Sequence, residues 1–201
     1  MRKLMFTMLL SFVVPSLAFA DPKSLVILGD SLTEGYGVAH DAAYPALLEK
    51  KIQKSGKNWK VVNAGISGST SASALPRLKW ILKSKPDLLM ICLGANDGLR
   101  GLKLEETRHS LSEAVAFAQA QGVPVVLAGL YLPPNYGKEY TTGFRKIYVD
   151  LAKQYKTLFI EFLLDGVAGN SQLNQADGIH PNEKGHEVVA ETVFKALKDR
   201  L

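Results

Sequence analysis

The chain has 201 residues, is 47% hydrophobic and 21% charged, and carries a formal charge of +5. That size supports one domain with a sizeable core, while its scattered lysines lack the dense patch of a nucleic-acid footprint. The single cysteine, Cys92, rules out an internal disulfide and is expected as a small buried apolar residue.

Residues 1–20 read as an export signal. Arg2 and Lys3 precede an uncharged apolar run from Leu4 to Val14, Pro15 breaks that run, and Ala18-Phe19-Ala20 is a small-x-small cleavage site. The run falls short of the roughly 18 residues expected of a membrane span. No cysteine follows the cleavage site to carry a lipid anchor. The expectation is a signal peptide over 1–20 and one domain over 21–201. The mature chain would be periplasmic or secreted, without a stable membrane anchor.

From there two kinds of segment alternate. Short apolar stretches rich in Val, Ile and Leu at 25–29, 60–63, 87–93, 123–130 and 157–163 predict strands. Stretches of helical periodicity at 43–54, 72–84, 105–121, 140–155 and 182–200 predict helices. In the last, Val189, Val193 and Leu197 fall on one face, widened by Ala190, Phe194 and Leu201. Strands followed regularly by helices predict an α/β fold, with a parallel sheet covered on both faces.

In such a sheet the turns after the strands share one edge, and ligands bind there. Those turns hold Gly29-Asp30-Ser31, then Asn63 to Thr70, then Gly94-Ala95-Asn96-Asp97-Gly98, then Leu132 to Gly137. The last strand leads by a longer route to Asp177-Gly178-Ile179-His180-Pro181-Asn182. Every polar cluster of interest therefore falls on one rim. A serine hydroxyl is a poor nucleophile unless an oriented base takes its proton. Ser31 with His180 as base and Asp177 as its orienting carboxylate meets that need. Charge developing on an attacked carbonyl oxygen needs donors, and the Ser31 N–H, the Gly68 N–H and the Asn96 side chain are the candidates. Taken singly, Asp177, Gly68 and Asn96 are also ordinary turn residues.

Gly29-Asp30-Ser31-Leu32, the Gly65 and Gly68 pair, Gly94-Ala95-Asn96-Asp97 and Asp177-Gly178-Ile179-His180-Pro181 resemble the four sequence blocks of the SGNH hydrolases, or GDSL esterases. They occur in the family's order across most of residues 21–201. Asn96 to Gly101 and Leu132 to Gly137 are similar to loops of the bacterial periplasmic thioesterase, lysophospholipase and arylesterase subgroup. The resemblance implies a three-layer α/β/α sandwich with a five-stranded, flavodoxin-like sheet of order 2-1-3-4-5. It implies Ser31 as nucleophile, His180 as base and Asp177 as its orienter, with Ser31, Gly68 and Asn96 forming the oxyanion hole. Acyl thioesters, aryl or short-chain esters and lysophospholipids are the implied substrates. The chain departs from the family at Ser69, where relatives carry an acidic residue, and at Glu34, in a variable part of the first block.

Other chemistries fit less well. Gly29-Asp30-Ser31-Leu32-Thr33 lacks the second glycine of an α/β-hydrolase elbow. No phosphate-cradling Gly-Lys-Ser/Thr or Gly-x-Gly-x-x-Gly is present. His40, His109 and His186 lack ligand-like partners, so neither a metal nor another cofactor is expected. Leu99, Leu132, Pro133 and Tyr136 are the residues expected to wall an acyl groove, with Leu102, Tyr131 and Pro134 beside them. A monomer acting on a small acyl ester or thioester is expected. The alternatives are a deacetylase of exported polysaccharide or peptidoglycan, or a non-catalytic periplasmic acyl-binding protein.

Overall fold

The computed structural model describes residues 21–201. The expected signal peptide, residues 1–20, lies outside the described residues. Five strands form one sheet: β1 (Lys23–Gly29), β2 (Trp59–Gly65), β3 (Leu88–Cys92), β4 (Val125–Ala128) and β5 (Leu158–Ile160). All four pairings are parallel, and the strand order is β2-β1-β3-β4-β5. That is the order the family resemblance implies. The central strand β3 is buried throughout, as a strand covered on both faces must be.

Around the sheet lie α1 (Ser31–Glu34), α2 (Tyr44–Lys54), α3 (Ala74–Ile81), α4 (Ala95–Leu99), α5 (Leu104–Ala120), α6 (Lys138–Tyr155) and α7 (Glu183–Leu197). Helix α2 packs on α7, and α5 packs on both α3 and α6, so two helical layers enclose the sheet. The stripe on α7 faces inward, with Val189, Ala190, Val193 and Leu197 all buried. Its start is set by Asn182, whose side chain accepts from the Gly185 N–H at 3.0 Å. Pro181, just before, keeps the chain extended until that cap.

The boundaries differ from expectation where side-chain hydrogen bonds or turns intervene. The segment 72–84 divides into α3 flanked by 3-10 turns at Ser71–Ser73 and Leu82–Ser84. Helix α6 starts at Lys138, two residues before the expected start at 140. The two short helices α1 and α4 occupy what read as turns, because each is too brief to show a 3.6-residue period. Cys92 is buried, as expected, and accepts a hydrogen bond from the Tyr44 hydroxyl at 3.6 Å. Burial pushes its thiol up to about 12. Among the described residues, no helix is long and apolar enough to cross a membrane.

Tyr148 on α6 is fully buried and donates its hydroxyl to the Leu93 carbonyl at 3.0 Å. That bond ties α6 to the end of β3. Tyr148→Phe leaves the carbonyl unpaired in the core and should lower the unfolding free energy by about 1–2 kcal/mol. Urea denaturation of the two proteins measures it.

Candidate active site

The parallel register sets Gly29 opposite both Gly65 and Cys92, so the ends of β2, β1 and β3 lie at one level. The chain leaves β1 through Asp30, which is buried and caps α1 by accepting the Leu32 N–H at 3.0 Å. Ser31 is the first residue of that helix, so its N–H is among the donors that a helix leaves without an internal partner. Gly35 ends the helix in the left-handed region, with φ of 88°.

His180 meets Ser31 from the far end of the chain. Its Nε2 lies 2.9 Å from Ser31 Oγ, and its Nδ1 lies 2.7 Å from Asp177 Oδ2. A carboxylate only accepts, so Nδ1 carries the proton and Nε2 presents its lone pair to the serine hydroxyl. Asp177 Oδ1 also accepts the N–H groups of Ile179 and His180, each at 3.0 Å. Desolvation raises the Asp177 pKa, but the ring, these N–H groups and the His180 charge outweigh it and hold the carboxyl below its ordinary value. The Tyr36 ring lies 4.8 Å from the imidazole, centroid to centroid. Gln175 ties the two segments together, donating to the Tyr36 carbonyl at 2.7 Å and the Pro181 carbonyl at 2.9 Å.

The loop after β2 forms the third side. Gly68 sits in the left-handed region, with φ of 76°. Arg100 donates to its carbonyl at 3.1 Å, and the Asn96 side-chain amide donates to the Ser69 carbonyl at 3.0 Å. An amide carries two hydrogens, so Asn96 keeps one for the cleft. Gly65 has to be glycine here: a Cβ would stand 2.1 Å from the Glu34 backbone nitrogen. Behind Asn96, buried Asp97 accepts from the Ser71 N–H at 2.8 Å, from the Ser71 hydroxyl, and from Thr107 at 3.3 Å.

Ser31, Gly68, Asn96 and His180 open into a cleft of about 580 Å³. Leu99, Leu132 and Pro133 line it, along with Tyr131, Phe162 and Leu164. Tyr136 is not among its lining residues; its hydroxyl donates to the Leu99 carbonyl at 3.0 Å and holds the end of α4. Among the described residues, no three His, Cys, Asp or Glu side chains gather as a metal site requires.

Several supporting residues had no signal in the sequence. Glu34, which read as a variable position, accepts the Ser67 N–H at 2.8 Å and the Ser67 hydroxyl. Arg77 donates to the Gly29 carbonyl at 3.0 Å, to Ser69 Oγ at 3.2 Å and to the Ala64 carbonyl. A charged residue inside a helical stretch, here beside Lys79 and Lys83, reads as solvent-facing until its partners across the fold are known.

The sequence matches the model of the GDSL-like lipase/acylhydrolase family over residues 27–188. The chain belongs to this family. This acylhydrolase is 40% identical over 183 residues to esterase TesA of Pseudomonas aeruginosa, covering 90% of the chain and 91% of that protein. It is 39% identical over 195 residues to an Escherichia coli protein named thioesterase 1/protease 1/lysophospholipase L1, covering 96% of the chain and 90% of that protein. A crystal structure of TesA matches with a TM-score of 0.86 at 40% identity, over 89% of this chain and 100% of that one. The acylhydrolase is therefore an enzyme, a carboxylic ester hydrolase of the SGNH type.

Burial raises the Asp30 carboxyl from 3.8 to about 6, and the nearby Asp97 charge adds to that, against the backbone N–H bonds and the His180 charge. The folded chain thus holds a proton that the unfolded chain has already lost. Stability falls as pH rises from 3.8 toward about 6, and the loss is complete above that. Asp30→Asn keeps an acceptor for the Leu32 N–H and removes the charge. The variant should gain about 3 kcal/mol over the wild type at pH 7 and close to nothing at pH 3.5. Chemical denaturation at the two pH values measures the difference.

Proposed function

We propose that this acylhydrolase cleaves aryl and short-to-medium-chain acyl esters, acyl thioesters and lysophospholipids through an acyl-enzyme on Ser31. The observation that carries the proposal is the unbroken hydrogen-bond chain Asp177–His180–Ser31 at the mouth of an apolar cleft. The names of the relatives, an esterase and a thioesterase/lysophospholipase, support the same substrate range.

Ser31 Oγ attacks the acyl carbon as its proton passes to His180 Nε2. Asp177 holds the imidazolium that results. The carbonyl oxygen, now negative, takes hydrogen bonds from the N–H groups of Ser31 and Gly68 and from the free hydrogen of the Asn96 amide. His180 returns the proton to the departing alcohol or thiol. Water, deprotonated by the same ring, then releases the acid and restores Ser31.

The lining beyond Ser31 favours an acyl chain over a glycan. Leu99, Leu132, Pro133 and Leu164 offer apolar contact, whereas an acetylated saccharide would call for polar partners along the cleft. A serine hydrogen-bonded to an imidazole also argues for turnover over mere acyl binding. The leader-like composition of residues 1–20 supports a periplasmic or secreted enzyme.

Ser31→Ala should remove p-nitrophenyl ester hydrolysis and labelling by a fluorophosphonate probe, with the fold intact by circular dichroism. Undiminished turnover in that variant would end the proposal. Asn96→Ala should lower kcat by about a hundredfold or more with little change in KM, as expected of a donor acting in the transition state. Steady-state kinetics on the same ester separate the two constants.

A further inference from the structure

Tyr131 stands on the wall of the cleft in a setting that substrate binding alone does not require. Its ring lies parallel to Phe162, with centroids 4.1 Å apart and an interplanar angle of 4°. The Arg145 guanidinium lies over the same ring at 4.6 Å. Phe162 fills one face at stacking distance, so the guanidinium takes the other. Glu161 closes the arrangement: its Oε1 accepts the Tyr131 hydroxyl at 3.1 Å and also pairs with Arg145. Three elements thus converge on one phenol: the segment after β4, the segment after β5, and α6.

We propose that Arg145 and Glu161 are positioning residues that clamp Tyr131 against Phe162, and that this clamp sets the enzyme's preference for longer acyl chains. The proposal rests on the reading of the cleft as an acyl site. In the order β2-β1-β3-β4-β5, β4 and β5 lie two and three strands from the β1 end that carries Ser31. At the usual spacing between strands, that places the Tyr131 and Phe162 backbones roughly 10 and 14 Å from it across the sheet. An acetyl group on Ser31 ends well before this wall, whereas a medium-length chain runs along it. With both faces filled, Tyr131 offers the cleft only its edge, which suits a narrow aliphatic chain better than a stacked ring. Arg145 and Glu161 are each about half exposed, with side chains 51% and 63% accessible, and neither lines the cleft. Their effect reaches the substrate only through Tyr131.

The test compares p-nitrophenyl octanoate with p-nitrophenyl acetate in the wild type, Arg145→Ala, Arg145→Lys and the double variant Tyr131→Ala/Arg145→Ala. Arg145→Ala should raise KM for the octanoate about fivefold with kcat within twofold, so that the octanoate-to-acetate ratio of kcat/KM falls about fivefold. Arg145→Lys, which keeps the charge for Glu161 but loses the planar stack, should fall between. In a Tyr131→Ala background, Arg145→Ala should change the ratio no further. A ratio within twofold of the wild type in Arg145→Ala, or the same fivefold drop without Tyr131, would overturn the clamp while leaving ester hydrolysis standing. A wild type inert toward both esters would instead overturn the functional reading. The clamp would then be judged by calorimetry with decanoate, where a fivefold weaker Kd in Arg145→Ala upholds it and an unchanged Kd overturns it.

Discussion

Every strand of the sheet runs the same way, and the register sets Gly29 level with Gly65 on one side and Cys92 on the other. Parallel strands cannot be joined by tight turns, so each must be followed by a crossover, and all strand exits gather on one edge. The site follows from that constraint. Ser31 lies two residues past the end of β1, Gly68 three past β2, and Asn96 four past β3. Only the His180 segment arrives by a longer path, and Gln175 and the Asn182 cap hold it in place.

The elements with strong patterning were readable in the chain. The run Leu88 to Cys92 is apolar without interruption, as a strand buried on both faces must be, and the α7 stripe turns inward as its spacing predicts. Ser31, Asp177 and His180 stood out because an apolar strand ended at one and a turn joined the other two, and the structure brings the three within hydrogen-bonding distance. What could not be read is the scaffolding that depends on partners distant in sequence. Glu34 and Ser67 are 33 residues apart, and Ser71 and Asp97 are 26 apart. Neither pairing leaves a local pattern. Tyr136 looked like a cleft residue because it shares a loop with Leu132 and Pro133, but its hydroxyl is turned to the Leu99 carbonyl.

Buried polar groups around the site carry opposing stability terms. Burial holds Asp30 protonated up to about 6 and keeps His186 neutral down to about 4, the latter aided by the His180 charge. The Asp30 contribution weakens folding as pH rises through that interval. The His186 contribution weakens it as pH falls from 6.5, because the unfolded imidazole takes up a proton that the folded one refuses. The two oppose each other across mildly acidic pH, so each hides part of the other in a bulk stability measurement. Both oxygens of Asp97 are hydrogen-bonded, whereas Asp30 Oδ2 has no partner among the described residues.

Cys92 sits at the end of the central strand, sealed beneath Tyr44 and accompanied by no second thiol anywhere in the chain. A modifying reagent reaches that sulfur only when the middle of the molecule comes apart, since fraying at the surface leaves it covered. The rate at which the native enzyme consumes a thiol-specific dye therefore counts rare whole-molecule openings, with no probe having to be engineered in.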